Sequence, residues 1–167
     1  MAADLGAWAS LLLRMMIATL AGAALGWERS RQDRAIMGLR TLSLVGLASC
    51  IAVLAIVHSD LPDMNADAAG RVVQGVLSGV GFIGAGALLH GGQGGGKQIH
   101  GLATAASIWV SAAMGAAAAL AVWPLIAGGV VLGLLVLFTG APLERRIRDH
   151  ARQAPGESDR RDIEERP

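Results

Sequence analysis

The stretch GVLSGVGFIGAGALLH, Gly75 to His90, decides the fold. It contains Gly79-x-Gly81-x-x-Gly84, the glycine spacing of a dinucleotide-binding loop. Such a loop needs a strand before it, a tight turn, and a helix whose N-terminus faces the pyrophosphate. No strand pattern precedes these glycines and no βαβ unit follows. They lie inside one continuous apolar segment, which predicts a helix instead. At about 100° per residue, Gly75, Ser78, Gly79, Gly81, Gly84, Ala85 and Gly86 cover more than half of its circumference. Val76, Val80 and Ile83 fill the opposite sector. Gly75 and Gly79 make a GxxxG pair, so the expectation is a central membrane helix, closely packed on its small face and lipid-facing on its Val/Ile face. A second decoy adjoins it. Gly91 to Lys97 fits the start of a phosphate-binding loop, but Gln98 stands where Ser or Thr should hold magnesium, and no strand precedes it. This stretch reads as an interhelical loop.

Composition agrees with a membrane chain. Of the 167 residues, 53% are hydrophobic and 4% aromatic, with no tyrosine. Mean hydropathy is +0.51, too apolar for an ordinary soluble domain of this size. The net charge of +1 offers no field for nucleic acid. Cys50, the one cysteine, cannot form an internal disulfide and reads as a small buried hydrophobe.

A helix crossing the hydrocarbon needs about 20 mostly apolar residues. Segments near 5–27, 39–58, 72–90, 102–121 and 123–141 meet this requirement or come close. Asp4 ahead of the first segment and Arg14 within it argue for a membrane helix rather than a signal peptide. The last two segments would overshoot the bilayer as one helix. Pro124 suits the first turn of a new helix, which predicts a tight hairpin. Basic and non-basic loops alternate. Arg29, Arg31, Arg34 and Arg40 flank the first loop; Asp60, Asp63 and Asp67 occupy the second; Lys97 lies in the third; Arg145, Arg146 and Arg148 open the tail. The positive-inside pattern then predicts five crossings, N-terminus out and C-terminus in. The expected architecture is all-α, a polytopic bundle of about five transmembrane helices. Residues 1–142 form the membrane domain and 143–167 a charged cytoplasmic tail, polar from about residue 153 and read as either disordered or a frayed helical extension.

Polar groups inside membrane helices are functional candidates. Thr104, Ser107 and Ser111 share one helical stripe, continued by Gly115. They read either as packing glue or as the lining of a polar path. Arg14 reads as snorkelling outward or pairing with a buried acid. Glu28, Arg29, Asp33 and Arg40 cluster at the ends of the first two helices, where Glu28 and Arg40 are placed to form an ion pair. Arg71 and Gln74 stand at the outer end of the third helix. His58, His90 and His100 lie near membrane boundaries without metal-ligand spacing. No residue pattern argues for catalysis, a metal or a cofactor.

GWERSR (26–31), GLRTLSLVGLAS (38–49), VLSGVGFIGAGALL (76–89) and HGLATAASIWVSAAMG (100–115) resemble the MgtC/SapB family of bacterial inner-membrane proteins. The matching order covers roughly residues 11–137. The resemblance implies a plasma-membrane protein of five or so helices, associated with growth in low magnesium. In some members it implies survival inside macrophages, and in some an action on the membrane-embedded ATP synthase. Magnesium transport itself is not the family's accepted role. The positions carried over are Glu28, Arg29, Arg40, Thr41, Gly79, Gly81, Gly84, Gly86, Thr104 and Trp109. Two positions depart from the virulence-associated members, which have Asn at the position of Ala103 and Cys at the position of Val110. Longer members also add a folded C-terminal domain where this sequence has a short tail.

Two functions fit. One is a non-enzymatic regulator that binds another membrane complex through small-residue faces. The other is a small ion or solute transporter or channel, acting as an oligomer.

Overall fold

The computed structural model describes residues 2–31, 38–59, 66–90 and 102–153, with side chains for 5–31, 38–59, 66–86 and 102–140. It is all-helical over those residues. In order come α1 (Ala2–Ser30), α2 (Leu39–Val57), α3 (Ala66–His90), α4 (Leu102–Ala119) and α5 (Trp123–Gln153). All five are long and apolar enough to cross a membrane. The Gly91–Lys97 loop and His100 lie outside the described residues. The chain divides into two units, Met1–Leu134 and Leu135–Pro167. In the second, the described residues are the C-terminal part of α5, where Thr139 donates its hydroxyl to Leu135 O at 2.7 Å. Hydroxyls in a helix surrounded by lipid find their acceptor one turn back.

In the first unit, α1, α2 and α4 form the core. Of the α4 span, 61% is buried, against 17% of the α3 span, so α4 is the centre and α3 lies at the edge. The three core helices approach closely because small residues face one another where they cross. A Cβ on Gly46 would lie 2.7 Å from the Ala18 carbonyl oxygen. One on Gly22 would run into the Leu42 carbonyl, and one on Gly115 into the Gly46 carbonyl. At this crossing Ser111 donates to Leu42 O at 2.6 Å and Ser49 donates to Ala112 O at 2.7 Å. Lipid gives no hydrophobic reward for helix contact, so close backbone approach and interhelical hydrogen bonds carry the association.

The turns are built locally. Ser30, at the end of α1, accepts the Leu39 N–H at 3.0 Å and so caps the start of α2. The hairpin expected at Pro124 is present. Val122 N–H bonds to Ala117 O at 3.0 Å and Ala121 N–H to Ala118 O at 3.1 Å, with Ala121 at φ 56°. This is a Schellman ending, with alanine in the left-handed position that glycine usually fills. Near its start α5 meets the core where Gly129 faces Met114 and Gly133 faces Leu25.

The sequence expectation for α3 needs correction. Added Cβ atoms on Gly75, Gly79 and Gly86 would meet nothing within 4 Å. Val80 is buried, not lipid-facing, whereas Phe82 is 85% exposed. The helix packs on α4 through the sector holding Val80 and Gly84, where a Cβ on Gly84 would sit 3.3 Å from Ala105 Cβ. Gly81 and Gly84 of the expected small face thus lie toward α4, while Gly75 and Gly79 point away from the described helices, because α4 and α2 cover only one side of α3.

Candidate functional site

Among the described residues, the most buried charged groups lie where α1 ends. Glu28 and Arg29 occupy its last turn, each only 8% exposed. A cation suits a helix C-terminus, where free carbonyls give partial negative charge. Arg29 reaches across to the first turn of α4 and donates Nη2 to Thr104 Oγ1 at 2.7 Å. Thr104 is 2% exposed, so this contact is screened from solvent and fixes the end of α1 on the start of α4.

Glu28 differs. Its Oε2 is buried and accepts no hydrogen bond. The expected Glu28–Arg40 ion pair is not formed, because Arg40 points outward from α2 and is exposed. Buried carboxylate oxygens without donors are costly, and such cost is commonly retained at functional positions. Thr41 beside Arg40 is half-buried.

The α4 stripe runs from this point into the core. Thr104, Ser107 and Ser111 are all buried. Ser107 donates to Ala103 O one turn back at 2.7 Å. With Thr104 on Arg29 and Ser111 on Leu42, every hydroxyl of the stripe is taken up within the bundle.

Trp109, on another side of α4, is 46% exposed, and its Nε1 would lie 3.9 Å from a Cβ on Gly81. Arg71 and Gln74 are exposed near the start of α3, and His58 is exposed at the end of α2. Cys50 is fully buried. Among the described residues no group of three or more His, Cys, Asp or Glu is placed to hold a metal ion. Arg14 follows neither expected course. Its Nη1 donates at 2.6 Å to the carbonyl of Ala119, the last residue of α4. No sequence pattern pointed to that acceptor, because a helix end becomes a partner only once the helices are assembled. The single glycines Gly22 and Gly46 carry no such pattern either, whereas Gly115 continues the hydroxyl stripe in the sequence. The only local sign of Gly22 and Gly46 is the lack of a side chain.

An all-helical bundle with five spans, a buried Glu-Arg turn and a hydroxyl stripe defines a class of polytopic membrane proteins. The profile of the MgtC family matches residues 15–146, and the chain belongs to that family. It is a multi-pass protein of the bacterial inner membrane. It is 37% identical over 146 residues to protein SrpB of Synechococcus elongatus, covering 84% of this chain and 80% of SrpB. It is 36% identical over 133 residues to YhiD of Escherichia coli (strain K12), covering 77% of this chain and 60% of YhiD. It is 35% identical over 104 residues to MgtC of Salmonella typhimurium (strain LT2), covering 62% of this chain and 41% of MgtC. No solved structure matches the chain.

Proposed function

We propose that the chain is a non-enzymatic regulator that binds another inner-membrane complex, linked to magnesium limitation or membrane energetics. The observation that carries this reading is the uncovered glycine sector of α3. Gly75 and Gly79 have open space where a side chain would be, on a helix whose other sector is packed. A glycine face left open in lipid is a surface on which a further helix can pack closely. Glu28 and Arg29 hold the edge of the same unit, and the charged tail adds a polar contact.

Crosslinking in native membranes, followed by identification of the captured protein, tests this reading. Gly79→Leu should insert normally and lose the crosslinked partner. Gly84→Leu should instead disturb the α3–α4 packing itself, since Ala105 stands against it. Full partner capture by Gly79→Leu would remove the mechanism. The loop charges orient the chain with its N-terminus out and C-terminus in. Reporter fusions at the two termini should therefore fall on opposite sides of the membrane.

A second reading, a small ion or solute transporter acting as an oligomer, is favoured by one relative's name, "Putative magnesium transporter YhiD". The chain spans 60% of YhiD's length. Under this reading, purified protein in liposomes should conduct an ion or small solute. Under the regulator reading, liposomes should show no flux across a broad panel.

A further inference from the structure

α1 and α4 differ in length chiefly at one end. Arg29 on Thr104 aligns α1 with α4 where α1 ends. From there the contacts stay in step. Gly46 meets both Ala18 and Gly115, and one turn on Arg14 meets Ala119. There α4 stops. The apolar span of α1 continues outward from Arg14 to Leu5, and that of α2 continues past Cys50 to Val57. At 1.5 Å per residue these extensions reach about 13 Å and about 10 Å beyond the level of Ala119. The α4 span has 18 residues and the α1 span 26, so they measure about 27 Å and about 39 Å. The turn between α4 and α5 is therefore recessed beside α1 and α2, which continue through the same leaflet.

Arg14 sits at the floor of this recess. Arg14 is half-buried, and one N–H of its guanidinium is used by Ala119 O. The four remaining N–H bonds have no acceptor among the described residues. A guanidinium at hydrocarbon depth is expensive unless polar groups come to it, and a thin spot in the bilayer brings them. Leu120, Val122 and Trp123 are exposed around the turn, and tryptophan favours the headgroup level. Arg71 lies near the same level on α3, judged from the Gly84–Ala105 contact, and is exposed.

We propose that Arg14 and the recessed α4–α5 turn form a binding site for the phosphate of a membrane lipid. The lipid belongs to the leaflet that contains the start of α1. The guanidinium fork matches a phosphodiester, which takes two parallel N–H bonds, while the same group keeps its third contact on Ala119. The bilayer thins at the turn, and the lipid's acyl chains lie along the exposed face of the hairpin. This site is separate from the glycine sector of α3 and stands whether or not that sector binds a partner.

The test is native mass spectrometry of the full chain released from nanodiscs. One set contains phosphatidylglycerol and the other a neutral, phosphate-free galactolipid. The wild-type chain should retain one phospholipid and no galactolipid. Arg14→Lys keeps the charge and can still reach the carbonyl, but it loses the fork. It should retain about tenfold less phospholipid. Arg40→Gln, at the opposite end, should retain it like wild type. Equal retention of galactolipid by the wild-type chain would overturn the site without reliance on any variant. So would unchanged phospholipid retention by Arg14→Lys. Displacement of the lipid by millimolar inorganic phosphate would assign the site to free phosphate and overturn the lipid proposal.

Discussion

The hydroxyl of Ser111 donates to the carbonyl of Leu42 at 2.6 Å, between residues 69 positions apart in sequence. The two residues meet where α1, α2 and α4 cross, and an added Cβ on Gly22 or Gly46 would also approach Ser111 Oγ. Ser111→Ala removes the hydrogen bond and little volume. Interhelical hydrogen bonds in membranes average about 0.6 kcal/mol, so the loss should be of that order. Ser111→Val adds bulk against both glycines and should cost several times more. Reversible unfolding in mixed detergent micelles measures both.

Two glycine substitutions should behave oppositely. Gly115→Ala drives a methyl into the Gly46 carbonyl, where only backbone movement can relieve it. Overpacking of this kind costs about 1–3 kcal/mol. Gly79→Ala meets open space and should leave stability unchanged or raise it by about 0.5–1 kcal/mol, since alanine favours the helix. Thermal melts of the two proteins side by side check the contrast.

The Glu28–Arg29–Thr104 turn predicts a split between stability and function. Thr104→Val removes the acceptor of a buried guanidinium at 2.7 Å and should cost about 1.5–3 kcal/mol. Glu28→Gln exchanges a buried charged oxygen without a donor for a neutral amide. It should be at least as stable as wild type, with a gain of up to about 2 kcal/mol. If the carboxylate is kept for function, the same variant should fail to restore growth of a deletion strain in low magnesium. A variant that is both less stable and fully active would show that Glu28 serves the fold alone.

The α4–α5 turn offers a stabilising change. Ala121 holds φ 56° in a Schellman ending, where a side chain crowds the backbone. Ala121→Gly should raise stability by about 1 kcal/mol without altering topology. The midpoint of thermal unfolding reads this directly.

The five spans were legible because span length and apolarity are local properties. The hairpin was legible because Pro124 cannot continue a helix bonded to α4. The packing partners were not. Glycine density marked α3, yet the tight crossing uses Gly22, Gly46 and Gly115, one on each of three helices. Which glycine meets which carbonyl depends on the register between helices, and no single segment encodes that register. The same reason accounts for Arg14, whose acceptor is the end of a helix 105 positions away. It also accounts for Arg40, which was paired with Glu28 by proximity along the chain and instead faces outward.

The most enclosed helix is the fourth to be synthesised. While only the first three are in the bilayer, the notch made by Gly22 and Gly46 stands empty and Arg29 has no Thr104 to reach. A nascent chain halted before Leu102 should therefore be a loose set of spans, open to proteolysis and to quality-control proteases. Maturation of this protein hinges on late arrival of its keystone, so folding efficiency should depend on what shields the early helices during translation.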